Sequence, residues 1–210
     1  KLIHIALMRH TRFQMYGQMR FGGVITVEKA WELGFDHLAL AVGAGLPKVL
    51  AVPNSMAPGM RQANDFLMAL QLTGAAQLSS LVKLEVRLPA LVIGSGLTAV
   101  DTATELQAYY LRHVEKVHLR MEALLQRMTL KKLEGGCSPS LWSVVMLQYK
   151  QGAQLKALRE AQVGSREPLD VIALIREWGG VHLVYRKRMQ DSPAYRLNHE
   201  ELAKALEEGI

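Results

Sequence analysis

The sequence predicts an α/β fold of the Rossmann-like, three-layer kind, incomplete and interrupted by a largely helical insertion. Three observations carry that expectation. The run Ala90-Leu91-Val92-Ile93 is short, apolar and stopped by glycine, as a buried parallel strand is. It passes at once into Gly94-Ser95-Gly96-Leu97-Thr98-Ala99, whose G-x-G-x-x-A spacing suits a dinucleotide-binding turn between strand and helix. A second apolar run, Val181 to Tyr185, ends in the basic triplet Arg186-Lys187-Arg188.

The elements follow in order. Residues 1–22 are basic and rich in Met and Arg. Glu28 to Leu33 predicts one short helix. His37-Leu38-Ala39-Leu40-Ala41-Val42 predicts a buried strand, halted by Gly43-Ala44-Gly45. Pro47, Pro53, Pro58 and Gly59 make the next stretch an irregular surface path. Asn64 to Leu72 predicts a helix with Phe66, Leu67 and Leu70 on one face. After the glycine turn a helix starts near Thr98 and runs towards Arg127, because no Gly or Pro interrupts it. Residues 111–175 form a helical block, in which Ser138 caps a helix that buries Leu141, Trp142, Val145 and Met146. Further helices are expected from Glu167 to Trp178 and from about Asn198 to Glu208.

Composition narrows the function classes. The 210 residues are 50% apolar, enough for one substantial core or two small domains. A single cysteine, Cys137, excludes an internal disulfide framework, a C-x-x-C pair and a cysteine-rich zinc site, so a cytoplasmic location is the default expectation. No run of 18 apolar residues occurs, and no membrane partner is expected. The net charge is +6, but the cations are dispersed among acids without a recognition motif, so no nucleic-acid partner is expected either.

The chemistry of the turn sets the expected ligand. Gly94 allows the tight exit from the strand, and Gly96 removes the side chain that would obstruct a pyrophosphate. Ser95, Leu97 and Thr98 supply backbone groups at the helix N-terminus. A basic strand end at Arg186, Lys187 and Arg188 favours a 2′-phosphate, hence NADPH over NADH. The plain alternatives are an ordinary glycine-lined turn and a solvated strand exit. No catalytic constellation stands out. His113 and His118 are five residues apart and do not share a helix face well, and Cys137 has no base near it in sequence.

Several segments together resemble one family. Phe35-Asp36-His37-Leu38-Ala39-Leu40-Ala41-Val42-Gly43-Ala44 resembles the strand and glycine segment that leads out of a flavin domain. Leu50-Ala51-Val52-Pro53 and Ala57-Pro58-Gly59-Met60 are similar to an "IPG…PGV" stretch. Val92 to Asp101 is similar to "VIGGGNTAMD", Val184 to Arg188 to "VYRRS" or "VYRRR", and Ala205 to Ile210 to a closing "A.EEGI". The chain thus resembles the small (beta) subunit of glutamate synthase, within the FAD-dependent pyridine nucleotide-disulphide oxidoreductase superfamily, as an internal fragment.

The resemblance implies a partial flavin-domain segment and linker over residues 1–85. It implies an NADPH-binding portion over 86–210, with the helical insertion at about 111–175. It implies an oxidoreductase that passes hydride from NADPH to FAD and electrons onward to an acceptor protein or domain. Gly43 and Ala44 would lie near the flavin, although the flavin-phosphate glycine motif and the ribityl-gripping segment are missing from this chain. Gly94, Ser95, Gly96, Leu97 and Thr98 would hold the nicotinamide nucleotide with Arg186, Lys187 and Arg188. The alternative expectation is a non-catalytic nucleotide-binding or protein-interaction module.

Overall fold

The computed structural model describes residues 2–43, 46–47, 49–164 and 169–210. The chain divides into two units, Lys1–Leu46 and Pro47–Ile210. The first contains two short helices, α1 (Leu2–Met8) and α2 (Val27–Glu32). Thr26 caps α2, its hydroxyl accepting from the Lys29 N–H at 3.2 Å. Ala30 is the one residue buried among the described residues of this unit, while Phe35, Leu40 and Val42 stand in solvent. The apolar run His37–Val42 forms no strand. A strand needs a ladder partner, and the ladder contact within this unit is an isolated bridge between Phe21 and Ile25.

The second unit is built around α4 (Leu97–Leu125), a helix of 29 residues. Before it come α3 (Ala63–Leu72) and strand β1 (Ala90–Ile93). After it come α5 (Leu130–Gly135), α6 (Pro139–Ala161), α7 (Val171–Glu177), strand β2 (Val181–Val184) and α8 (Pro193–Glu207). Ser138 caps α6 as its sequence suggests, with Pro139 at the first helical position. Asp170 caps α7 by accepting from the Ala173 N–H at 2.9 Å, while Glu167 and Pro168, the expected start of that helix, lie outside the described residues. Ser192 caps α8, which begins five residues before Asn198 and kinks there.

Three faces of α4 define three clusters. Tyr109, Tyr110 and Val114 pack against Phe66 and Leu70 of α3, Leu155 of α6, and Leu174 and Ile175 of α7. Ala99 and Ala103 lie under Val92 and Val181 of the two strands. Val100 meets Ala194, Leu202 and Ala205 of α8. Small residues near the start of α4 let the sheet approach closely, and the aromatic pair further along fills the wider gap between helices. The facing side of α6 is not the expected Leu141, Trp142, Val145 and Met146, which are only half-buried. It is Gln148, Gln151, Gly152 and Leu155.

The sheet overturns the expected fold class. β1 and β2 pair in parallel, Ala90 with Val181 through Ile93 with Val184, and no further strand joins them among the described residues. A Rossmann-like three-layer fold needs a wide parallel sheet with helices on both faces. Here two four-residue strands carry α4 on one face, and Leu91, Ile93 and Val184 are exposed on the other. The chain is a mostly helical domain with a small open sheet, and the fold it was expected to share with flavin- and nicotinamide-dependent oxidoreductases is absent.

Candidate functional site

The glycine turn sits where its sequence places it, between β1 and α4. Gly94 takes φ +134°, a value that favours glycine, and its N–H donates to the Val184 carbonyl at 2.9 Å. Ser95 is buried, and its carbonyl accepts from the Ala194 N–H at 2.9 Å. Gly96 is the N-cap of α4 and lends no side chain to it; Leu97 is half-buried and Thr98 exposed. Parallel pairing brings the exits of both strands to one end of the sheet. Arg186, Lys187 and Arg188 leave β2 there as exposed residues, and Arg188 bonds to Asp191 at 3.0 and 3.4 Å. Gly43 belongs to the first unit, with φ +74°, and Ala44 lies outside the described residues.

The expected cofactor chemistry does not survive this geometry. A dinucleotide-binding turn works within a multistranded sheet that forms the crevice for the ligand, and a two-stranded sheet makes no such crevice. Nor is there, among the described residues, an aromatic cluster placed to stack on a flavin. The ring contacts Phe66–Tyr109 and Tyr110–Trp178 are spent inside the helical core. The structure therefore does not support NADPH or FAD binding, hydride transfer or an oxidoreductase activity. Among the described residues no group of three or more His, Cys, Asp or Glu could hold a metal ion, and no helix is long and apolar enough to cross a membrane.

What stands out instead is the face of the sheet that α4 does not cover. Side chains alternate along a strand, so Val92 points inwards while Leu91 and Ile93 point outwards. Leu91 is 66% exposed, Ile93 60% and Val184 46%. Register places Leu91 beside His182 and Ile93 beside Val184, making one continuous, largely apolar face. The ladder uses the amides of Ala90 and Gly94 to reach Gly180 and Val184. By the two-residue alternation of a strand, the amides of Leu91 and Ile93 face the free edge. Parallel sheets are covered on both faces almost everywhere they occur, and free edges invite another strand.

Opposite this face, α4 and α6 are joined by a buried polar seam. The Tyr109 hydroxyl donates to the Leu84 carbonyl at 2.8 Å, and Gln148 Nε2 donates to the Val86 carbonyl at 3.0 Å. That bond leaves Gln148 Oε1 to face His113 Nε2 at 3.3 Å, so this nitrogen carries the proton. The Tyr110 hydroxyl donates to Gln151 Oε1 at 2.7 Å. Burial pushes both tyrosines up to about 12. Burial also holds His113 below the usual histidine range, against the opposing hydrogen bond that its Nε2 donates to Gln148 and with help from the Lys116 charge. His113 and Lys116 are three residues apart on α4 and both buried, which a search for apolar periodicity passes over.

His113 makes stability depend on pH in a defined direction. Its folded-state pKa lies below the unfolded value of 6.5, so the folded state refuses a proton that the unfolded state accepts. Stability is full above the unfolded pKa and falls as pH drops below it towards the folded pKa, by up to about 1.4 kcal/mol per pH unit. Urea unfolding between neutral pH and mild acid should show this slope in the wild type and a shallower one in His113→Gln. Equal slopes would remove His113 as the cause.

Fold and surface together define a helical domain with an unfinished parallel sheet. No family model matches the sequence, and no solved structure matches it. Over 209 residues, 100% of this chain, it is 36% identical to the uncharacterized protein RP006 of Rickettsia prowazekii (strain Madrid E). The chain spans 27% of the length of that curated relative.

Proposed function

We propose that this chain is a protein-interaction module whose docking surface is the outer face and free edge of β1 and β2. The observation that carries the reading is the exposure of Leu91, Ile93 and Val184 on one face of a parallel sheet whose other face is packed. All three are already partly covered, so completing their burial is favourable by about half of the roughly 1.5–3 kcal/mol that full burial of such a side chain brings. The proposed occupant is an extended, apolar polypeptide segment that pairs with the β1 edge, where the amides of Leu91 and Ile93 provide main-chain hydrogen bonds. Its proposed source is polypeptide outside these 210 residues. The matched region is only 27% of the Rickettsia relative, which leaves most of that protein's length for other segments.

The test uses the flanking segments of that relative, supplied as separate polypeptides. Binding should slow amide exchange at Leu91 and Ile93, and the double variant Leu91→Lys, Ile93→Lys should weaken it at least about a hundredfold. The lysines point outwards and leave the α4-facing residues untouched, so the variant should keep the wild-type helical signal. Binding that is indifferent to the two lysines, or no binding at all, would remove the proposal.

A further inference from the structure

The connection between α3 and β1 has neither helix nor sheet to satisfy its carbonyls, and α4 supplies cations instead. Lys116 is 4% exposed. Its ammonium donates to the carbonyls of Ala75 at 2.7 Å, Ser80 at 3.3 Å, Val82 at 3.4 Å and Gln77 at 3.5 Å. One turn along, Arg120 Nη2 donates to the Ser80 carbonyl at 2.6 Å and the Leu78 carbonyl at 3.4 Å. Residues 74–82 contain no acidic side chain. The Lys116 charge is thus held by carbonyl dipoles and not by a carboxylate.

An ammonium has three protons, and four carbonyls converge on it. That arrangement is the coordination of a cation by oxygen dipoles, the kind that carbonyl rings offer to potassium. Such dipoles repel one another when nothing positive sits between them. Burying an ammonium is costly unless such partners meet it, and the two requirements satisfy each other.

The geometry points to a cation cage: the loop Ala75–Val82 is a binding site for a small monovalent cation of ammonium or potassium type, permanently filled by the tethered ammonium of Lys116. The loop's closed form depends on that charge and not on the bulk of the lysine side chain. A chain whose tether is cut becomes a site for the free ion.

Amide exchange across residues 75–82 tests this. Lys116→Ala in choline chloride should exchange in the loop at least about tenfold faster than the wild type, and potassium or ammonium chloride at the same ionic strength should restore most of the protection. Lys116→Met fills the space without the charge, so it should exchange as fast and ignore potassium. In the wild type, acetylation of the Lys116 amine should proceed no faster than the loop opens. A Lys116→Met loop as protected as the wild type overturns the proposal. So does a Lys116→Ala loop that behaves alike in potassium and choline, or a wild-type amine that reacts while the loop stays closed.

Discussion

Gly152→Ala should destabilise the domain by about 2–3 kcal/mol, lowering the melting temperature by roughly 5–10 °C. Gly152 lies in the middle of α6, where alanine ordinarily improves a helix by up to about 1 kcal/mol. Packing reverses the sign. A Cβ at this position would stand 2.5 Å from His118 Cβ and closer still to the Val114 carbonyl oxygen, both on α4. The obstacle is largely helix backbone, which cannot swing aside as the tip of a long side chain can. Gly135 of α5 has nothing within 4 Å, so Gly135→Ala is the matched control and should be neutral or stabilising. A melting temperature for Gly152→Ala at or above the wild type would show that the two helices do not cross at this distance.

Gln148→Leu should cost about 2–6 kcal/mol, the sum of two buried groups left without partners at roughly 1–3 kcal/mol each. Gln148 is buried, and its two amide atoms join the Val86 carbonyl to His113 Nε2. Leucine has nearly the same volume, so the loss is electrostatic and not a cavity. The second change His113→Phe removes the stranded donor and leaves only the Val86 carbonyl, so the double variant should lose less than the two single losses added together. Urea unfolding of the four chains gives the coupling. A Gln148→Leu chain within about 0.5 kcal/mol of the wild type, as for an ordinary surface change, would mean that the seam does not hold residues 84–86 in place.

Much of the helical content was legible in the sequence, since helix signals are local. Ser138-Pro139 marked the start of α6, and the uninterrupted run after Thr98 foretold α4 almost to its end. Strand β1, its glycine turn and strand β2 were legible for the same reason, because apolar runs ended by glycine are read within a few residues. His37–Val42 misled because an apolar run reports a wish to be buried and says nothing about whether a partner strand is there. The polar seam was not legible. Gln148, Gln151, Lys116 and His113 read as solvent-facing until their partners are seen, and the close approach at Gly152 depends on α4. Of the proposed docking surface, the three apolar side chains were visible in the sequence as strand residues, but not the exposed face on which they lie.

By itself the sequence determined the course of the longer helices, the Ser138 cap of α6, and that a glycine turn joins a strand to a long helix. Each of these depends on interactions within a few residues. Only the tertiary structure decided that, among the described residues, the two strands pair solely with each other, that Leu91, Ile93 and Val184 are exposed on one face of their sheet, and that glutamine, histidine and lysine line the helix contacts. Those outcomes depend on groups tens of residues apart: Gln148 meets Val86, and Lys116 meets Ala75. The same glycine spacing serves a wide nucleotide-binding sheet and a two-stranded one, because the turn specifies its own backbone and not the strands beside it.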